Sequence, residues 1–338
     1  MSSSLTMVSG SISSDFLHHF PGRFADHIVP GGLDRLSLSF LADELATHWG
    51  GVGANIAFGM GVLGSRPLLV GAAGRDFGPY REWLWCHGVD CSGVRVVEDS
   101  HTARFTCTTD DDQCQLATFY PGAMSEAVSI ELAPLAARHE VGLVVIGAND
   151  PEAMLAHTRQ AKALGLPFAA DPSQQLPRLS KPMCRELVEG ATYLFSNEYE
   201  ELLIRRVCEW TEPELTSQVG LRVTTLAGEG CELADMRGER VRIPAVPAVG
   251  PVEPTGAGDG FRAGFLTGVD HGLAPRQAAR LGCLIATLVL ETSGSQMWSI
   301  DRDEAVDRLC ETYGAAESAG VIEVLDAALF EAAEDSRL

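Results

Sequence analysis

The sequence predicts an α/β fold, with a doubly wound, mostly parallel sheet and helices on both faces. Short apolar runs alternate with amphipathic stretches along the chain, which is typical of βα units. Several of these runs end in Gly, Asn, Asp or Ser, as strands do where they enter loops. The 338 residues are 46% hydrophobic and 21% charged, a composition typical of a globular protein.

The predicted strands are rich in β-branched or bulky apolar residues. In chain order they are 5–12, 67–73, 142–150, 166–173, 192–198 and 222–228. The amphipathic stretches predict helices at 54–63, 78–87, 151–164, 181–190, 198–207, 257–269 and 274–291. Ligands of such sheets bind beyond the carboxyl ends of the strands, so we expect a site near Asp15, Asn149, Asp171, Asn197 and Thr225.

Two segments, 18–50 and 100–122, interrupt this alternation. The second, "SHTARFTCTTDDDQCQLATFYPG", is typical of a hairpin, with two β-rich arms joined by the acidic turn "DDDQ". Both segments predict strands outside the βα units. The pattern favours equally a small second sheet, such as a lid, and an extension of the main sheet's edge.

Charge and cysteine usage exclude several classes of function. A net charge of −21 repels phosphate backbones and anionic membrane surfaces, so we expect neither nucleic acid nor membrane as a partner. No apolar run reaches the length of a membrane span, and the N-terminus does not resemble a signal peptide. Nine cysteines without a C-x-x-C pair argue against disulfides or a zinc site, and predict a cytoplasmic protein.

The stretch "EPTGAGDGFRAGF" (253–265) predicts the chemistry. Gly256, Ala257 and Gly258 precede a helical pattern, so backbone amides there can form a cradle for a phosphoryl group. A carboxylate at the edge of this cradle does not help to bind phosphate. Asp259 is therefore interpreted as the base that accepts a proton from an attacking hydroxyl. A plain helix start with Asp in its first turn is the alternative.

Three further motifs accompany this stretch. "GGVGANIAFGMGVLG" (50–64) is a second glycine-rich turn before a helix, with Asn55 placed to bind hydroxyls; close helix–sheet packing is the alternative. "SGSISSD" (9–15) offers Asp15 to paired hydroxyls, or forms an ordinary turn. In "SNEYEEL" (196–202), Asn197 and Glu200 suit the outer shell of a hydrated Mg²⁺ ion, and a helix capping box is a strong alternative.

These motifs, in this order, resemble the ribokinase-like (PfkB) family of carbohydrate and nucleoside kinases over nearly the whole chain. The resemblance implies a single kinase domain over 1–338, with a small β lid formed by the insertions at about 18–50 and 100–122. Within the family the chain is most similar to bacterial, actinobacterial-type adenosine kinases. The stretches behind this likeness are "HFPGRFADHIVP", "LDRLSLSFLADEL", "HTARFTCTTD", "FYPGAMSEA", "VIGANDPEAM", "FAADPSQQL" and "FRAGFLTG".

The resemblance implies ATP-dependent phosphorylation of the adenosine 5′-hydroxyl in purine salvage. Asp259 would be the base, and Gly256, Ala257 and Gly258 the anion hole. Phe105 and Phe119 would stack on adenine. The implied nucleoside-binding residues are Ser11, Asp15, Ser39, Gly51, Asn55, Phe105, Phe119, Gln174 and Gln175. The implied nucleotide-binding residues are Asn197, Thr225, Leu226, Ala227, Gly228, Glu229, Gly230 and Gly258, with Mg²⁺ organised by Glu200 through water.

The resemblance has further implications and leaves alternatives open. It implies K⁺ activation near Glu253, where the family more often has Asp, and a homodimer formed through the lid. Gly260 replaces the more usual Ala after the base, at a cost of roughly 1 kcal/mol of helix propensity at most. A kinase for another nucleoside or for a sugar such as ribose is one alternative. A non-catalytic nucleoside sensor is another, although it would not need Asp259.

Overall fold

A nine-stranded sheet forms the centre of the molecule. The computed structural model describes residues 5–27, 38–250 and 252–335, with side chains to 328. The sheet order is β13-β12-β11-β10-β9-β8-β1-β4-β5, and a separate four-stranded sheet has the order β3-β2-β6-β7. The strands are β1 Leu5–Ser9, β2 Ser13–Phe20, β3 Glu44–Gly50, β4 Leu68–Gly74, β5 Asp90–Val97, β6 Ala103–Asp110, β7 Gln115–Tyr120, β8 Val141–Ile146, β9 Phe168–Ala170, β10 Tyr193–Asn197, β11 Leu221–Thr225, β12 Cys231–Asp235 and β13 Arg240–Ile243.

Helices pack on both faces of the nine-stranded sheet, which confirms the predicted fold class. They are α1 Phe24–His27, α2 Val52–Val62, α3 Gly78–Cys86, α4 Leu132–Ala136, α5 Pro151–Ala163, α6 Lys181–Val188, α7 Glu198–Cys208, α8 Glu212–Ser217, α9 Ala257–Asp270, α10 Pro275–Leu290, α11 Arg302–Tyr313 and α12 Ala315–Asp335. Successive strand residues alternate between two cores: Met7 packs in one cluster and Val8 in the other. The cluster that contains Val8 includes residues of α9 and α10, and the cluster that contains Met7 includes residues of α5, α6 and α7.

All six predicted strands and all seven predicted helices are present, with bounds shifted by a few residues. The sheet is parallel from β11 to β5, and β12 and β13 add an antiparallel edge. Sequence analysis did not predict β5, β12, β13, α4, α8, α11 or α12, nor α1, which lies in a segment that was predicted to form strands. The edge strands β5 and β13 have one buried residue each and carry a weaker apolar signal than the central strands.

The two irregular segments form the separate small sheet, so the edge-extension alternative is wrong. β6 and β7 are the predicted hairpin, paired in antiparallel register from Arg104↔Tyr120 to Thr109↔Gln115. β2 begins at Ser13, ahead of the predicted segment, and pairs with both β3 and β6. Part of the first segment, 28–37, lies outside the described residues.

Among the helices in the described ranges, none is long and apolar enough to cross a membrane. The nine cysteines all fall within the described chain, and each of them is a free thiol.

Candidate active site

A cavity of about 1100 Å³ opens at the carboxyl ends of the parallel strands, facing the small sheet. It brings together residues that are far apart in the sequence. Of the residues predicted for the site, its lining includes Ser11, Asp15, Gly51, Asn55, Phe105, Phe119, Gln174, Gln175, Asn197, Glu200, Thr225, Ala227, Gly228, Gly230, Gly256, Ala257, Gly258 and Asp259. This placement is typical of ligand sites in open α/β sheets.

The glycine-rich turn before α9 depends on Gly256. Its φ of 82° is left-handed, and a Cβ there would lie 2.4 Å from the Cβ of Ser295. Glycine is therefore required for the helix to start at this point. The amide of Ala257 donates to the Pro254 carbonyl at 3.2 Å. The amides of Gly258 and Asp259 lie in the first helical turn, where no carbonyl within the helix is available to them, so these two can face a phosphoryl group.

Asp259 is held at the cavity wall by a hydrogen bond. Its Oδ2 atom accepts from Nδ2 of Asn55 at 2.8 Å. Burial raises the pKa of Asp259 to about 7, although Arg262 and the Asn55 hydrogen bond act to lower it. A carboxylate with a pKa near neutrality is well matched to accepting a proton at that pH.

Arg262 was not predicted as a site residue, yet it lies beside Asp259. Its guanidinium is 5% exposed, lines the cavity and donates to Asp171 at 2.5 Å and to Ser173 at 3.3 Å. Ser173 has a φ of 43°, a strained value for serine, and its hydroxyl donates to Asp171 at 2.7 Å. Arg262 thus connects α9 to the loop that carries Gln174. The only available signal was its position three residues after Asp259, on the same helical face.

Asn197 and Glu200 form the capping box that was the structural alternative for this motif. The Asn197 side chain accepts from the Glu200 amide, and the Glu200 carboxylate accepts from the Asn197 amide, both at 2.8 Å. Both residues also line the cavity. Burial raises the pKa of Glu200, with Arg262 lowering it and Asp171 raising it.

The charges around this wall would favour a hydrated cation, although among the described residues no group of three or more His, Cys, Asp or Glu side chains is placed to hold a metal ion directly. Asp171, Glu200 and Asp259 are three carboxylates near a single guanidinium, that of Arg262, and Oδ2 of buried Asp171 has no hydrogen-bond partner. A hydrated Mg²⁺ ion would offset this excess negative charge, with Glu200 contacting its water shell. When bound, such an ion neutralises charge on phosphate oxygens.

The end of the cavity that is predicted to bind a nucleoside combines carboxylate, aromatic and amide groups. Burial raises the pKa of Asp15 to about 6, although the Ser13 hydroxyl, which donates to Asp15 at 3.4 Å, acts to lower it. Phe105 and Phe119 are directly opposite each other on β6 and β7, where cross-strand pairs are close enough to act together. Gln175 is buried, and its Oε1 atom accepts from Arg178 at 3.3 Å.

The remaining predicted residues take other places. Ser39, Leu226 and Glu229 do not line the cavity: Ser39 and Glu229 are exposed, and Leu226 is buried. Ser11 lines the cavity, but its hydroxyl accepts from the Val52 amide at 3.0 Å and so caps α2. Lining residues that sequence analysis missed include Ser13, Met124, Ala245, Val246, Pro247, Ala286 and Leu290. Ser13 and Met124 lie in stretches quoted above, and the others are small or apolar residues outside any motif.

Comparison with known proteins identifies the family. The pfkB family of carbohydrate kinases matches residues 28–301. The chain belongs to this family. It is therefore a kinase, and the predicted resemblance to the family is confirmed.

Relatives in this family include nucleoside kinases. The nucleoside kinase of Methanocaldococcus jannaschii is 30% identical over 264 residues, which cover 78% of this chain and 85% of the relative. The Burkholderia thailandensis nucleoside kinase in complex with inosine superposes with a TM-score of 0.80 at 32% identity, covering 91% of this chain and 98% of that chain. The ribokinase of Bacillus subtilis is 26% identical over 80% of this chain and 90% of the relative. These names specify nucleosides or ribose, so the narrower expectation of an adenosine kinase stays a prediction.

Proposed function

We propose that this kinase transfers the γ-phosphoryl group of ATP to the 5′-hydroxyl of adenosine, giving AMP and ADP. One observation carries the proposal: a single cavity connects the Phe105–Phe119 pair to the start of α9 and Asp259. A flat aromatic base can pack against such rings, and a sugar alone would not need them. Purine salvage is the role that this reaction would serve.

In this proposal each group has a part in the transfer. Asp259 accepts the proton of the 5′-hydroxyl as that oxygen attacks phosphorus. The amides of Gly258 and Asp259 donate to the oxygens of the transferring group, where negative charge accumulates. Asp15 accepts hydrogen bonds from the ribose hydroxyls. Glu200 holds Mg²⁺ through water on the nucleotide side.

Nucleotide binding is proposed for the end of the cavity formed by Thr225, Ala227, Gly228 and Gly230. Gly228 has no atom within 4 Å of a Cβ position, so the backbone is open to a ligand there. Glu253 accepts from the Gly294 amide at 3.4 Å, and we propose K⁺ activation through this neighbourhood. Wild-type activity should then fall when K⁺ is replaced by a bulky organic cation.

The small sheet is proposed to act as a lid and as a dimer contact. β7 is exposed along its length at the sheet edge, and Leu116 and Tyr120 on it are 50% and 46% exposed. Exposed edge strands pair readily with a second chain. Light scattering over a concentration series should give the mass of a dimer, and a monomer at micromolar concentration would contradict this part of the proposal.

A broader nucleoside kinase is the second candidate. The Burkholderia relative has been solved with inosine and with ADP-inosine, and the buried amide of Gln175 can serve more than one purine edge. The deciding experiment is a coupled ATP assay with Mg²⁺ that compares adenosine, inosine, guanosine, cytidine and ribose. A preference for adenosine of at least tenfold in kcat/KM supports adenosine kinase. Comparable rates favour the broader activity, ribose preference favours a sugar kinase, and binding without turnover favours a sensor.

A further inference from the structure

A line of side-chain hydrogen bonds connects helix α3 to Asp259. Nε1 of Trp83 donates to Oε1 of Gln296 at 3.0 Å. Nε2 of Gln296 donates to Oδ1 of Asn55 at 2.9 Å, and Nδ2 of Asn55 donates to Oδ2 of Asp259 at 2.8 Å. We call this line the amide relay. It begins about two side chains away from the cavity.

The chemistry of the groups fixes the direction of the amide relay. An indole N–H can only donate, so the carbonyl oxygen of Gln296 must face Trp83. The amide nitrogen of Gln296 then faces Asn55, whose carbonyl oxygen must accept. This leaves the amide nitrogen of Asn55 directed at Asp259. The Ser295 hydroxyl donates to the same Asn55 oxygen at 3.0 Å and reinforces this orientation.

A branch of the amide relay reaches the glycine-rich turn before α2. Nε2 of Gln296 also donates to the Tyr80 hydroxyl at 2.6 Å, which in turn donates to the Gly50 carbonyl at 2.9 Å. Tyr80, Gln296 and Asn55 are 1%, 3% and 8% exposed. Water therefore has little access to replace a lost bond, and a misoriented amide would leave buried polar atoms unpaired.

We propose that Trp83 and Gln296 are positioning residues that hold the Asn55 amide nitrogen toward Asp259, and so prepare Asp259 to accept the substrate proton. The proposal rests on the proposed function of Asp259. If Asn55 turned by half a rotation, its carbonyl oxygen would face the carboxylate and oppose its ionisation.

Other groups act on Asp259 besides Asn55. Arg262 on α9 favours its ionised form, whereas Asp171 after β9 and Glu200 on α7 disfavour it. None of these three belongs to the amide relay. A substitution in the amide relay should therefore change the ionisation of Asp259 without changing the charges around it.

The first test compares Trp83→Phe with Trp85→Phe. The first variant removes the indole N–H while keeping an aromatic ring to stack on Phe58, and Trp85 is a control on the same helix that is 73% exposed. Both are assayed with whichever acceptor the wild type phosphorylates best. We expect Trp83→Phe to lower kcat by about threefold to tenfold, as for the loss of one buried hydrogen bond, with a smaller change in KM. The pH dependence of kcat/KM for Trp83→Phe should shift to higher pH. Trp85→Phe should have the same kcat, KM and pH dependence as the wild type.

A double-mutant cycle tests whether the residues act as one unit. Gln296→Met removes both of the donations made by this side chain at similar volume. If the amide relay operates, adding Trp83→Phe to Gln296→Met should cause no further loss of kcat. Losses that multiply would show that Trp83 acts independently of Gln296, and would overturn the proposal.

A measurement without turnover separates this proposal from the proposed function. The difference in melting temperature between Asp259→Asn and its parent, followed from pH 5 to 9, reports the ionisation of Asp259. In the Trp83→Phe background the pH at which that difference levels off should rise, because the levelling-off marks the folded-state pKa. A rise without any kinase activity would support the amide relay and contradict the proposed function. An unchanged levelling-off pH, or equal behaviour of the two tryptophan variants, would refute the amide relay.

Discussion

The pH dependence of phosphoryl transfer tests the role of Asp259 most directly. The carboxylate must be ionised to accept a proton, and its pKa is raised to about 7. At that pKa about 1% of Asp259 is ionised at pH 5, about 50% at pH 7 and about 90% at pH 8. We therefore expect kcat/KM for the nucleoside, at saturating ATP and Mg²⁺, to rise about 90-fold between pH 5 and pH 8.

Two variants distinguish the kinetic role of Asp259 from that of Asp15, a second cavity-lining carboxyl group whose pKa is raised to about 6. Asp259→Asn keeps the shape but removes the base, and should lower kcat by about 10²- to 10⁴-fold at pH 8. Asp15→Asn should raise KM and leave the midpoint near pH 7 in place. The assay couples ADP formation to a spectroscopic signal across the pH series. A wild-type midpoint near pH 4, or an Asp259→Asn variant within tenfold of the wild type, would refute the assignment.

Three further predictions concern the scaffold and the cavity. Gly256→Ala should lower the free energy of unfolding by about 1–3 kcal/mol in denaturant titrations, because a Cβ meets Ser295 and φ is 82°; an unchanged value would contradict this. Arg222→Met should cost about 1–3 kcal/mol, since the side chain is 1% exposed and pairs with three carboxylates, each of which keeps a contact with a second arginine; an unchanged free energy of unfolding would show that those second arginines compensate fully. Phe119→Ala should raise KM for adenosine about tenfold with little change in kcat, as for the loss of one stacked ring. Leu116→Ala, on the same strand, is its control, and equal effects would count against stacking.

Stability should also respond to the ionisation of Asp259. Burial disfavours the charged form, so the folded-state pKa of about 7 lies above the ordinary value of 3.8. Ionisation of Asp259 therefore does not destabilise the folded protein below pH 3.8, the pKa in the unfolded chain. The destabilisation grows as the pH rises above 3.8 and is complete above pH 7, the folded-state pKa. Asp259→Asn should therefore be more stable than the wild type at pH 8, and the two should converge at pH 4, in thermal melts.

Much of the site was predictable because its residues belong to local motifs. A glycine-rich turn before a helix produces outward-facing amides wherever it occurs, so Gly256 and Gly258 could be assigned from spacing. The alternation of apolar runs and amphipathic stretches predicted a parallel sheet with helices on both faces. Ligands of such sheets bind beyond the carboxyl ends of the strands, so the position of the site followed from the fold class. Asn197 shows the limit of motif analysis, because the capping box and the cavity position are both present at once.

The amino-acid sequence alone indicated the fold class, the proposed phosphoryl-binding turn and the candidate base, because each depends on residues close together in the chain. Only the tertiary structure decided which side chains surround that base. Arg262 donates a hydrogen bond to Asp171, which is 91 positions away in the sequence, and Gln296 donates one to Asn55, which is 241 positions away. Such contacts depend on how α2, α9 and the segment after α10 pack together. These contacts cannot be predicted from a local sequence pattern. The direction of each hydrogen bond can be assigned only when the positions of its donor and acceptor are known.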